Sequence, residues 1–290
     1  MIGGERQAVR YWDKRNTNKW NAEDYAKHST AQWEWANELI GKLRLKGDES
    51  LLDIGCGDGK ITRLLAERLP DGTVVGIDAS EEMIALASRS HTQGNLSFRL
   101  MDAADIRLEH PFDVAFSNAA LHWIRDHAAV LRGVKAHLNP GGRILFQMGG
   151  RGNTLNMHEV VMEIIRCGAW SAYFEGFEYP YFFYHPTDYE RWLPEAGFEA
   201  VRVERVPKDM VHENPDALKG WLRTTWFPFT DRLPESMRNG FLNEVVDAFL
   251  TRHPVDERGR THVNMVRLEV EAVAENGEGL NSNPKMRSEK

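Results

Sequence analysis

The stretch that most restricts this chain is Leu51–Lys60, L-L-D-I-G-C-G-D-G-K. A short apolar run meets an acid, then glycines at alternate positions, then Ile61-Thr62-Arg63-Leu64-Leu65-Ala66. That order predicts a buried strand, a tight turn and a helix, the opening of an α/β fold. Gly55, Gly57 and Gly59 carry no Cβ, so a ligand can lie almost against their main chain. A dinucleotide fingerprint, G-x-G-x-x-G, would place its last glycine where the chain has Lys60. The phosphate-cradling G-x-x-x-x-G-K-[ST] pattern is absent as well. The spacing is G-x-G-x-G, preceded by Asp53, and no pyrophosphate is implied. A turn that merely joins a strand to a helix is the plain alternative.

The residues downstream continue the alternation. A helix over 61–69 ends at Pro70-Asp71-Gly72, and Thr73–Ile77 is a β-branched strand closing at Asp78. Ser80 is the better-placed cap for the next helix, which carries Met83 and has Glu81 and Glu82 in its first turn. Asp78 is thereby left to accept the hydroxyls of a ribose. A third strand, 96–101, is followed by Asp102-Ala103, with Asp105 close by, and a fourth covers 111–116. Ser117-Asn118-Ala119-Ala120-Leu121-His122-Trp123 then falls at the carboxyl edge of the sheet, where α/β folds hold their ligands. A helix over 126–138, a turn at Asn139-Pro140-Gly141-Gly142 and a fifth strand at 143–148 complete a doubly wound, mostly parallel sheet.

Beyond 153 the texture changes. A helix over 154–170 precedes a run of aromatics from Trp170 to Tyr184, suited to a ligand-pocket wall, an oligomer contact or a subdomain core. A short helix at 189–193, a sixth strand at 198–206, helices at 216–226 and 234–252 and a last strand at 262–273 follow. The expected organisation is a flexible terminus (1–19), an α/β core (20–153), a helical, aromatic-rich lid (154–254) that includes the sixth strand, a closing strand of the core (255–274) and a disordered tail (275–290).

Composition excludes several classes. The net charge of −7, with no long basic run, argues against nucleic acid as a partner. No apolar run approaches the roughly 18 residues of a membrane span, and the first residues do not open a signal peptide. Cys56 and Cys167 form no C-x-x-C pair and suit a reducing, cytoplasmic setting. His158-Glu159 starts like a zinc-protease helix, but Met162 stands where the second ligand would be, so no metal is expected. The expected state is a monomer or small homo-oligomer.

With D-x-G-x-G-x-G over 53–59 and an acid closing the second strand, the chain resembles the class I S-adenosylmethionine (SAM) methyltransferases. The resemblance implies a Rossmann-like, seven-stranded sheet and SAM as cofactor, with S-adenosylhomocysteine as product. It implies cofactor contacts from Asp53, Gly55, Cys56 and Gly57, from Asp78, Ala79 and Met83, from Asp102 and Ala103 at the adenine, and from Asn118. An N-terminal cover is implied too, with Tyr25 at the cofactor, alongside Trp20 and His28. The segments D-V-A-F-S-N-A-A-L-H-W-I-R-D-H (113–127) and D-Y-E-R-W-L-P-E-A-G-F-E (188–199) are similar to the trans-aconitate methyltransferase family, which esterifies carboxylates. That family commonly has Gln before the tryptophan; this chain has His122. The N-P-P-Y-like sequence of nucleobase N-methyltransferases is missing after the fourth strand.

The implied acceptor is a small carboxylic acid, held by His122 and the Trp123 indole N–H, with no general base required because a carboxylate is already ionised. Arg151 and Arg223 could bind spare carboxylates, and His28, Tyr184 and Trp221 complete the substrate set. A hydroxyl or amine of a hydrophobic metabolite would instead make His122 a general base. A non-catalytic SAM-binding adaptor is the rival from another class.

Overall fold

The computed structural model describes residues 30–276. These residues divide into two compact units, each with its own core. The first comprises 43–148, 184–205 and 268–276; the second comprises 30–42, 149–183 and 206–267.

The first unit holds the crossovers. Strands β1 (Ser50–Ile54), β2 (Thr73–Asp78), β3 (Leu96–Leu100) and β4 (Phe112–Asn118) alternate with helices α2 (Lys60–Glu67), α3 (Glu81–Ser90) and α4 (His127–Ala136); α1 (Thr30–Lys42) belongs to the second unit. Strand β5 (Leu138–Gly149) follows α4. The register pairs β1 with β2 and β4, β2 with β3, and β4 with β5, all parallel. The central strands are apolar because both faces of a parallel sheet are covered: Leu51, Leu52, Ile54, Val114, Ala115 and Phe116 are all buried. Ser80 caps α3 as expected, its Oγ accepting from the Met83 amide at 3.2 Å.

The complete sheet has seven strands in the order β3-β2-β1-β4-β5-β7-β6, with β6 at Phe198–His212 and β7 at Thr261–Ala274. The chain proceeds outward from β1 through β2 to β3, then returns to place β4 on the other side of β1. The switch point therefore lies between β1 and β4, where open α/β sheets bind ligands. Among the described residues no helix is long and apolar enough to cross a membrane.

Both late strands are longer than the sequence suggests. Strand β5 also starts earlier, because Asn139–Gly142 form a bulge: β4 steps from Phe112 to Val114 while β5 steps from Leu138 to Arg143. A charged network fixes the far side of this unit. Gln147 donates to Glu269 at 2.9 Å, and Arg202 reaches the same fully buried Glu269 at 2.6 Å, tying β5, β7 and β6.

The second unit contains α1, α5 (Leu155–Arg166), α7 (Pro215–Thr225), the single-turn α8 (Phe227–Thr230) and α9 (Glu235–Arg252); α6 (Pro186–Glu195) lies in the first. Trp170 and Phe174 are buried there with Phe229 and Phe241, and Tyr173, Phe177, Tyr179 and Tyr181 pack against them. This part of the aromatic run is core.

Candidate functional site

The turn after β1 is stitched to the end of β2. The amides of Gly55 and Cys56 both donate to the Ile77 carbonyl, at 2.8 and 3.0 Å. The three glycines serve different ends. A Cβ on Gly55 would meet the Cβ of Ala120, and one on Gly59 would meet the rings of Phe98 and His91. Gly57, in the left-handed region at φ 54°, has nothing within 4 Å of that position. Two glycines thus admit protein neighbours, and Gly57 alone leaves the backbone open on its Cβ side.

The Gly57 amide donates to Asp78 Oδ2 at 3.0 Å, and the Ser80 amide donates to Oδ1 at 2.9 Å. Burial pushes the Asp78 carboxyl upward against the opposing pull of the amides of Ser80, Gly57 and Ala79. A carboxylate offers about four lone-pair positions, so each anchored oxygen retains acceptor capacity. Asp78 is a fixed, half-buried acceptor at the tip of β2.

Asp53 lies deeper. Its side chain is buried and Oδ2 accepts from Thr62 Oγ1 at 2.8 Å, joining β1 to α2. Burial first, then the Asp78 charge, push its carboxyl up to about 7, against the Thr62 hydrogen bond. Burial likewise pushes the Cys56 thiol up, and Cys56 and Cys167 are both free.

At the end of β3, Asp102 is exposed and accepts from the Ala104 amide at 2.9 Å, while Ala103 is buried beside Ile106. Ala79 is exposed at the end of β2 and Met83 is half-buried in the first turn of α3. His91 Nε2 lies 3.2 Å from the Asp58 carbonyl and braces the glycine turn.

The segment after β4 faces the same switch point. Ser117 is buried and donates to the Ile54 carbonyl at 2.8 Å, and Asn118 pairs in register with Gln147. Ala119 adopts φ 56°, a left-handed conformation that costs a non-glycine residue roughly 1–2 kcal/mol. It is held by its amide, which donates to the Gln147 carbonyl at 2.8 Å. Leu121–Trp123 then form one 3₁₀ turn. The rings of His122 and Trp123 lie 5.7 Å apart, both half-buried.

Sequence reasoning gave no role to His127. It is buried at the start of α4, with Nδ1 2.7 Å from the Tyr189 hydroxyl and Nε2 2.7 Å from the Leu121 carbonyl. Burial lowers its pKa to about 4. Nothing local marks it, because its partner lies on a helix far along the chain.

Tyr184 is in the first unit, where its hydroxyl donates to the Arg125 carbonyl at 2.5 Å. Arg151, Trp221 and Arg223 are in the second unit. Arg151 and Arg223 are exposed, and Trp221 is buried between His212 and Trp226. The Trp221 Nε1 is buried without a hydrogen-bond partner. Tyr25 and His28, with Trp20, lie outside the described residues.

The geometry fits an adenosyl ligand. Gly57 gives an uncovered backbone, and Asp78 gives an anchored acceptor for vicinal hydroxyls, both beside the switch point.

Comparisons with known proteins agree. A family model described as a methyltransferase domain matches residues 51–142. The uncharacterized methyltransferase C70.08c of Schizosaccharomyces pombe is 33% identical over 223 residues, 74% of this chain and 84% of its own. The trans-aconitate 2-methyltransferase of Methylobacterium radiotolerans is 30% identical over 260 residues, 87% of this chain and 97% of its own. Among solved structures, phosphoethanolamine N-methyltransferase 2 of Haemonchus contortus in complex with SAM superposes with a TM-score of 0.56 at 19% identity, covering 88% of this chain and 56% of that one. The YcgJ protein of Bacillus subtilis gives 0.54 at 17% identity, covering 84% and 100%. At these identities the two structures carry the fold.

Proposed function

We propose a small carboxylic acid as the methyl acceptor of this chain, which belongs to the class I S-adenosylmethionine-dependent methyltransferases. SAM is the cofactor, and when bound it supplies an electrophilic methyl group on a sulfonium. The chain's part is to hold, orient and exclude water. The open Gly57 backbone, with Gly55 and Cys56 beside it, receives the cofactor, and Asp78 accepts its ribose hydroxyls. Asp102 and the Ala103 amide meet the adenine, with Ala79, Met83, Asn118 and Tyr25 as further contacts. Asp53 acts from behind, through Thr62, by fixing the start of α2.

A carboxylate is ionised at neutral pH, so no proton has to be removed before it reacts. What it needs is donors and alignment. His122 and the Trp123 indole N–H supply the donors after β4. Arg151, Arg223, Trp221, Tyr184 and His28 are the candidates for the rest of the acid. The carrying observation is that the match to a trans-aconitate 2-methyltransferase covers 87% of this chain and 97% of that relative, and so extends well past the methyltransferase domain at 51–142.

The test is methyl transfer from tritiated SAM to trans-aconitate, other di- and tricarboxylic acids, and hydrophobic alcohols and amines. The expected product is a methyl ester, which releases volatile tritiated methanol in mild base. Base-stable label on an alcohol or amine would overturn the carboxylate reading and make His122 a general base. SAM binding with no product on any acceptor would favour the adaptor.

A further inference from the structure

We propose that His127, gripped by Tyr189 and flanked by Tyr184, is a positioning residue that sets the turn carrying His122 and Trp123. The inference rests on the reading that this turn touches the acceptor.

The hydrogen bonds dictate the tautomer. The Leu121 carbonyl can only accept, so the Nε2 atom 2.7 Å from it carries the proton. In the neutral ring Nδ1 then has none and accepts from the Tyr189 hydroxyl at 2.7 Å, a nearer and stronger acceptor for that proton than the Met148 Sδ 3.3 Å away. One side chain thus joins the first carbonyl of the 3₁₀ turn to α6. The turn's other side is held by the same region: Tyr184, just before α6, donates to the Arg125 carbonyl at 2.5 Å. Its ring stands edge-on to His127 at 4.6 Å. His122, Trp123 and Ile124 lie between the two gripped carbonyls.

This is more polar chemistry than filling the space requires. An apolar ring would pack there without the cost of burying two nitrogens. A buried imidazole is tolerated only where both nitrogens find partners, and so it specifies a single arrangement. The groups facing it are Asp126 on its own segment, Asp188 and Tyr189 from α6, and Tyr184. Burial opposes the charged ring and outweighs the Leu121 and Ile124 carbonyls and the two carboxylates, which favour it, so the ring stays neutral at physiological pH.

The test uses Tyr189→Phe in the full chain, which keeps the ring in the core and removes only the donor. Nitrogen-15 NMR of the unliganded wild type should show His127 as the Nε2–H tautomer and one sharp Trp123 indole cross-peak. In Y189F that cross-peak should broaden or split while the Gly57 amide stays put. With an acid that the enzyme turns over, Y189F should lower kcat about tenfold to a hundredfold, leave SAM affinity unchanged, and add nothing in a His122→Ala background. An unmoved Trp123 signal, or an Nδ1–H tautomer, overturns the proposal. So does Y189F slowing H122A by the same factor as wild type. Full activity of H122A would instead overturn the underlying site reading, with the NMR result still deciding whether His127 sets the turn.

Discussion

A Cβ placed on Gly55 would stand 2.1 Å from the Cβ of Ala120. The first crossover turn and the segment after β4 therefore meet through a missing side chain. Gly55 also sits at φ 74°. Gly55→Ala should destabilise the fold on the order of 3 kcal/mol, from overpacking and a left-handed alanine together. Gly57→Ala, with open space at its Cβ, should cost about 1 kcal/mol, yet weaken SAM binding more than its stability loss explains. Denaturant midpoints and SAM titrations of the two variants check the contrast.

Asp53 makes the stability depend on pH. Its folded pKa, about 7, is raised above its ordinary value of 3.8. The protonated form thus contributes stability that is complete below about pH 4 and is lost as pH rises through 7. Asp53→Asn mimics the protonated acid and keeps an acceptor for Thr62. The variant should be more stable than wild type at pH 8, on the order of 3 kcal/mol, and show no advantage at pH 4. Urea unfolding at the two pH values measures this.

His127 has the opposite sign. Its folded pKa, about 4, is lowered from 6.5, so its contribution is complete above pH 6.5 and is lost as pH falls towards 4. At pH 5 the loss is on the order of 2 kcal/mol. Imidazole nitrogen shifts should report a neutral His127 at pH 5.

His262 stands between Asp209 at 2.7 Å and Asp256 at 3.2 Å, on the second unit. The Asp209 hydrogen bond, then that of Asp256, raises its pKa. This clasp stabilises most below the ordinary histidine pKa and weakens as pH rises through the raised one. Protection of the Asp256–His262 loop in hydrogen exchange should therefore decline from pH 6 to pH 8, and His262→Gln should remove the decline.

Much of the first unit was legible because its signals are local. The turn at 53–59, the acid closing β2 and the Ser80 cap are each decided within a few residues. The long strands were not. Asn139-Pro140-Gly141-Gly142 reads as a turn, and its turn chemistry survives as a bulge inside β5, with Gly141 at φ 73°. Helix α6 starts earlier than its apolar residues suggest, because Pro186 occupies its first turn and His185 and Asp188 form a capping box. Trp226-Phe227-Pro228-Phe229 separates α7 from α9, yet proline again fits a first turn, so α8 forms. The distinct tasks of the three glycines depend on Ala120, Phe98 and His91, which no local pattern brings near. The His127–Tyr189 bond spans 62 positions and has no periodic signature.

The most direct test is calorimetric titration of S-adenosylhomocysteine into wild type, Asp78→Ala and Gly57→Ala. The account expects saturable heat with wild type, and a loss of affinity of about tenfold or more in each variant, equivalent to at least 1.4 kcal/mol, with the fold retained. Binding of equal strength in all three would contradict it, because the cofactor would then not lie on the open glycine beside the anchored acid.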